Sequence, residues 1–256
     1  MRIAIARVVI LICALSTRAT TQTAPLPIDP KADGVLRTMS QTLRNAKAFS
    51  FEINDAADEN LSNGQRVQFG KNVKVLVRRP DALACTVNGD LQEMQYVYRG
   101  TKLAVLNRKE NCYALQDVPN NLDAMFDFLA KKFGITAPLS DLCFADPYQA
   151  MTERVRSGAY LGLHQVNGVK CHHLAFRQET IDWQIWIEDS DQALPRKIVI
   201  TLKEQPGHPQ YLAVIDKWNL TPDAADSAFE FAPPVGAKRI DLTPVSTGDA
   251  APSDNR

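Results

Sequence analysis

The chain has 256 residues, with 29 Lys and Arg set against 29 Asp and Glu and no block of like charge. Such a near-neutral chain has no electrostatic reason to bind nucleic acid or an anionic membrane surface, and both are excluded as partners.

The first elements concern export. Arg2 and Arg7 precede an apolar run from Val8 to Leu15, and Ser16 to Ala24 is small and polar. The apolar run is far shorter than the roughly 20 residues a spanning helix needs, so residues 1–24 read as a secretory signal peptide cleaved near Ala19 or Ala24. Cys13 raises lipid modification, but Ile12 stands before it where a small side chain is wanted. A soluble exported protein is therefore favoured over a lipid-anchored one. Loss of Arg2, Arg7 and Arg18 leaves the remainder weakly acidic. Its length is large for one domain, yet usual for a single β-rich barrel or sandwich.

Asp29 and Pro30 offer an N-cap and a first-turn proline, and Ala32, Val35, Leu36, Met39, Leu43 and Ala46 recur at helical spacing. From Phe49 the period changes to two, most plainly in Val73 to Arg78. Short strands follow at 84–87, 94–98, 103–106 and 112–115, separated by turn residues such as Asn88-Gly89-Asp90 and Arg99-Gly100, which join only antiparallel neighbours. Strand character then lapses. Leu122, Met125, Phe126, Leu129 and Phe133 form a helical stripe ended by Gly134, and Asp146, Pro147 and Gln149 start another helix. Strands resume at 160–165, 169–177, 182–188, 196–204 and 211–220, with Asn167-Gly168 as a hairpin turn, and a last short strand is expected at Phe229 to Phe231. The segment 243–256 is small and polar, and reads as a disordered tail after one domain over 29–242. The predicted fold is α+β: a curved antiparallel sheet of about ten strands, a half-barrel, with helices plugging its concave face.

Four cysteines remain after processing, Cys85, Cys112, Cys143 and Cys171, in an oxidising compartment that permits two disulfides. Three connectivities are open. Cys143 with Cys171 is preferred, because Cys85 and Cys112 fall on strands that need not be neighbours.

Chemistry is sparsely signalled. His172 and His173 are adjacent on a strand and point to opposite faces, so they do not converge on one ion, and no Cys-x-x-Cys pair suggests zinc. Ser140, Asp141, Cys143 and Asp146 lie close in sequence, but no Gly-x-Ser-x-Gly elbow accompanies them. No Gly-rich phosphate loop is present, and nothing calls for a metal or a cofactor. Trp183 and Ile185 share one strand face and Trp186 takes the other; an indole in an apolar wall can still donate to a polar head group.

Several stretches resemble a known superfamily. Leu76-Val77-Arg78-Arg79-Pro80 with Leu83 behind it, the lead from the first helix through Ala48-Phe49-Ser50-Phe51, and Phe229-Glu230-Phe231-Ala232-Pro233-Pro234-Val235-Gly236 resemble the LolA/LolB-like outer-membrane lipoprotein carriers. Gly168 to Phe176, Asp182-Trp183-Gln184-Ile185-Trp186-Ile187-Glu188 and Leu194-Pro195-Arg196-Lys197 are similar to a group of predicted periplasmic proteins, over roughly Ala32 to Leu242. The resemblance implies a LolA-like fold in the periplasm. It also implies a non-enzymatic binding or carrier protein for a lipid, an acyl chain or a lipoprotein's acyl group. Arg79 stands where the carriers have an Arg that hydrogen-bonds the helical lid, and is the expected latch. Leu83 stands at an aromatic carrier position associated with lipoprotein transfer. Leu83, Met125, Phe126, Leu129, Trp183 and Ile185 are the expected ligand-binding residues of a monomer. The same superfamily includes stress-sensor domains, so the alternative is a sensor or interaction domain that contacts an envelope membrane protein.

Overall fold

The structure, a computed structural model, describes residues 27–245. The secretory signal expected over 1–24 lies outside the described residues, as does most of the expected tail. Asp29 caps the first helix by accepting from the Lys31 and Ala32 amides at 2.7 and 3.2 Å, and Pro30 opens it. This helix, α1 (Pro30–Asn45), buries Ala32, Leu36, Met39, Ser40 and Leu43, one stripe at helical spacing. Burying Leu36, Met39 and Leu43 completely contributes about 1.5–3 kcal/mol each.

Six antiparallel strands follow: β1 (Ala48–Asn60), β2 (Arg66–Arg78), β3 (Ala82–Gly89), β4 (Glu93–Arg99), β5 (Lys102–Asn107) and β6 (Cys112–Asp117). Helix α2 (Leu122–Phe133) is capped by Asn121, whose side chain accepts from the Ala124 amide at 2.8 Å. It is ended by left-handed Gly134 (φ 65°), whose amide donates back to the Ala130 carbonyl. A 3-10 turn (Ser140–Cys143) and α3 (Pro147–Thr152), capped by Asp146, lead into β7 (Ser157–Val166), β8 (Val169–Arg177), β9 (Ile181–Glu188), β10 (Pro195–Leu202) and β11 (Gln210–Asn219). With β12 (Lys238–Arg239) they make one open, curved sheet of twelve strands ordered β12-β6-β5-β4-β3-β2-β1-β11-β10-β9-β8-β7. The α+β half-barrel is as expected.

The two meanders meet where β1 pairs with β11, in the middle of the sheet. β1 and β2 are paired along their whole length, from Ala48 opposite Arg78 to Asn60 opposite Arg66. Alternation therefore sends Phe49, Phe51 and Ile53 of β1, and Val77, Val75 and Val73 of β2, to the concave face, where they share the main core with the stripes of α1 and α2. Gly158 sets the close approach at the β7 edge. Ile28 bridges to it, and a Cβ there would lie 2.7 Å from the Phe176 ring and 3.0 Å from the Ile28 methyl.

Two expectations are corrected at the end of the chain. Asp226–Phe229 is a 3-10 turn, and Phe229 to Phe231 is not a strand. Arg78 and Arg99 reach across the outer face to the Asp226 carboxylate at 2.8 and 2.5 Å, and Arg78 lies over the Phe229 ring, which pins the segment flat against the sheet. The last strand is β12 instead, parallel to β6, at the edge of the twelve-stranded sheet. Of the tail expected from residue 243, the first part is described, and the Val245 amide donates to the Lys132 carbonyl of α2 at 3.0 Å.

The cysteine pairing is also corrected. Cys85, Cys112, Cys143 and Cys171 are all free thiols. Cys143 belongs to the core beneath the helices, whereas Cys171 packs with Val166, Trp186 and Val199 on the opposite face, so the sheet stands between them. Cys85 on β3 and Cys112 on β6 are separated by β4 and β5.

Candidate functional site

The concave face is not completely filled. The segment Thr136 to Leu139, between α2 and the 3-10 turn, crosses it as a strap and, with Ser140, forms the shared wall of two clefts, both of which also reach Tyr211. Leu139, at the end of the strap, is held in the left-handed region (φ 68°), a conformation that costs a residue with a side chain roughly 1–2 kcal/mol. Each cleft measures about 160 Å³ and is mostly apolar in its lining.

The expected ligand-binding residues divide between these spaces. Leu83, Met125, Phe126 and Leu129 line the second cleft, over a floor of Phe51, Ile53, Val73 and Val75. Trp183 lines the first, with Asp141, Gln178 and Ile198. Ile185 has no exposed surface and lines neither. The Trp183 indole N–H is buried without a hydrogen-bond partner.

Arg79 sits where β2 ends beneath the helices. It donates through Nη1 to the Cys143 carbonyl at 2.7 Å and through Nη2 to the Leu43 carbonyl at 3.4 Å, joining the 3-10 turn and the last turn of α1 to one guanidinium. Burial weighs against its charge, the Phe49 ring lies 5.4 Å beneath it, and its Nε has no partner. A second tie fixes the same turn from the other side, where the Ala145 amide donates to the Asp123 carboxylate of α2 at 3.0 Å. Tyr148 of α3 joins α1 through Asp33 and Arg37, accepting from Arg37 at 2.7 Å.

Three polar groups in the clefts were missed in the sequence. Asp55, Lys71 and Tyr211 meet at the second cleft: Tyr211 donates to Asp55 Oδ2 at 2.8 Å, and Lys71 Nζ lies 3.4 Å from the same oxygen. Burial raises the Asp55 carboxyl above its ordinary range, outweighing the opposite pull of Lys71 and Tyr211. In the first cleft, burial alone pushes Asp141 up to about 6.

The groups considered for catalysis do not converge. Burial pushes the Cys143 thiol up to about 12, the reverse of what a nucleophile requires. His172 pairs with Tyr160 at 3.0 Å and with Asp189 at 3.1 Å. His173 turns to the convex side, stacked on Trp186 at 3.9 Å and bonded to His164 and Gln184, both at 3.0 Å. Cross-strand placement made the His164 partner, which spacing along the chain does not reveal. Among the described residues no group of three or more His, Cys, Asp or Glu could hold a metal ion, and no helix is long and apolar enough to cross a membrane.

Residues 32–243 match the family model described as "Predicted periplasmic protein (DUF2092)". The chain belongs to this family. The DUF2092 description places it in the periplasm, in agreement with the export expected from the sequence. Among curated proteins none matches it in sequence. Among solved structures it is similar to an uncharacterized conserved protein from Thermus thermophilus, at 7% identity and TM-score 0.49, covering 82% of this chain and 99% of that one. It is similar to the lipoprotein LppX of Mycobacterium tuberculosis, at 13% identity and TM-score 0.44, covering 77% and 100%. It is also similar to the LolA superfamily protein NE2245 from Nitrosomonas europaea, at 10% identity and TM-score 0.37, covering 78% and 97%. None of these likenesses brings a ligand with it.

Proposed function

We propose that this DUF2092 protein is a non-enzymatic periplasmic binding or carrier protein. Its hydrophobic ligand, a lipid, an acyl chain or a lipoprotein's acyl group, is held between the concave face of the sheet and the helices. The observation that carries this reading is the strap over Tyr211, which leaves an apolar cleft on each side of it where a closed core would be continuous. Each cleft is smaller than the roughly 300–1,000 Å³ of sites that enclose drug-sized ligands. A long acyl chain therefore enters only if the strap or the helices move and the two spaces join. Arg79 is the latch on that movement, since its two carbonyl partners sit on the helical layer while its backbone follows the end of β2. Leu83, Met125, Phe126, Leu129 and Trp183 are the ligand contacts.

Native mass spectrometry of protein purified from a bacterial envelope, followed by identification of any lipid released, tests the reading. A stoichiometric acyl species supports it. Empty protein that also ignores added fatty acids and lipopeptides overturns it.

A protein-interaction domain of the same fold is the second reading, and edge strand β7 is what favours it. Leu161 and Leu163 are exposed there beside unpaired backbone that another chain could extend. A pull-down that recovers an envelope membrane protein from wild type, and loses it with Leu161→Lys, would select this alternative.

A further inference from the structure

We propose that the second cleft ends in a subsite for the neutral polar head of an acyl amphiphile, with Asp55 accepting a hydrogen bond from a hydroxyl or amide of that head. The inference rests on the binding reading above and names the chemistry of what is bound.

Its basis is a break in the alternation of the two central strands. The concave-facing positions of β1 run Phe49, Phe51, Ile53 and then Asp55; those of β2 run Val77, Val75, Val73 and then Lys71. Asp55 and Lys71 are direct partners in the register, so an ion pair closes the far end of an otherwise apolar floor. Both residues and Tyr211 line the second cleft, which continues over Ile53 and Val75 to Leu83 and Met125. An acyl chain laid along that floor brings its head to the pair.

The pair is incomplete as it stands. Tyr211 and Lys71 both approach Oδ2, while Oδ1 is buried with no hydrogen-bond partner in a residue only 7% exposed. A buried acceptor without a donor is costly, and more so on a carboxylate. Asp55 lines the cleft, and a turn of its carboxylate that presents Oδ1 there lets a ligand O–H or N–H remove that cost. Lys71 has further ammonium hydrogens to offer an ester or amide carbonyl on the same head.

Charge sets the class. Asp55 and Lys71 sum to zero, so a net charge on the ligand would be buried without a counter-ion. A fatty-acid carboxylate has no donor for Oδ1 and brings a second anion beside Asp55. A monoacylglycerol or fatty amide supplies donor and acceptor together and stays neutral.

Isothermal titration of the full exported protein with monodecanoylglycerol and with decanoate, which share one acyl chain, tests the assignment. The neutral ligand is expected to bind at least about tenfold tighter. Asp55→Asn, which keeps the shape and replaces an acceptor with a donor, closes or reverses that gap. Lys71→Gln keeps a donor without the charge and widens it, an independent check if the first variant does not fold. Equal binding of the two ligands, or a gap that neither substitution moves, overturns the head-group subsite and leaves the binding reading intact. Failure of both ligands to bind overturns the two together.

Discussion

Arg79 and Cys143 are joined by a 2.7 Å hydrogen bond from guanidinium to backbone carbonyl, and through it the end of β2 holds the turn that precedes α3. Arg79→Leu removes this bond and the longer one to Leu43, but leaves the Asp123 tie to the Ala145 amide in place. Two buried carbonyls then lose a charged donor, a destabilisation of about 1–3 kcal/mol, which a domain of this size survives. The helical layer should loosen while the sheet keeps its circular dichroism. The expected readout is increased fluorescence of an added hydrophobic dye at a temperature where the far-UV spectrum is unchanged. An unchanged dye signal would show that Arg79 is not a latch.

Leu83 separates cleft occupancy from folding. It is buried in the main core on β3 and also lines the second cleft, so part of a Leu83→Trp side chain can extend into the cleft instead of displacing core neighbours. The substitution should therefore cost less than the roughly 1–3 kcal/mol usual for overpacking, while competing with any ligand for the same volume. Thermal unfolding and dye titration of the same sample check this. Weakened dye binding at a nearly constant Tm is expected, and unchanged binding would remove the second cleft from the ligand path.

The sheet and its helices were legible because each announces itself locally: Asp29-Pro30 starts α1, Gly134 ends α2, and period-two runs mark the strands. Even the missed polar pair left a trace. Asp55 falls on the same parity as Phe49, Phe51 and Ile53, and Lys71 on that of Val73, Val75 and Val77, so a charge on each core-facing row could have been read. Their meeting could not, since it depends on the register between β1 and β2, nor could the arrival of Tyr211 from β11, more than 150 positions later. The strap was hidden for a related reason. Thr136 to Leu139 carries no periodicity, and its role comes from where the chain must cross to return from α2 to α3. The turn at Phe229 was misread because its aromatic residues imitate a strand, while the deciding contacts come from Arg78 and Arg99 far upstream.

Free thiols give a direct chemical prediction. Burial pushes Cys85 and Cys143 up to about 12 and Cys171 up to about 11, so none of the three forms much thiolate near neutral pH. In the native protein, alkylation by iodoacetamide should be slow at all three and fastest at half-buried Cys112. After unfolding without reductant, intact mass should show all four exported cysteines alkylated. A protein that takes up none under those conditions contains two disulfides and contradicts this arrangement.

Asp141 links the first cleft to pH. Its carboxyl is raised from 3.8 to about 6 by burial, with no cation set against it. A raised carboxyl means that the folded state holds a proton which the unfolded state has released. Its contribution to stability is thus greatest below pH 3.8 and declines as pH rises through about 6, where the buried group must ionise. A shift of this size corresponds to something on the order of 1–3 kcal/mol. Asp141→Asn, which keeps the shape without the charge, should be more stable than wild type above pH 6, with the difference shrinking toward pH 4. Urea unfolding of both proteins across that range measures the difference directly. If the advantage of the Asn variant is independent of pH, the carboxyl is not titrating in the fold. If the advantage also disappears when an acyl ligand is added to both proteins, the ligand changes the surroundings of Asp141, and the first cleft lies on its path.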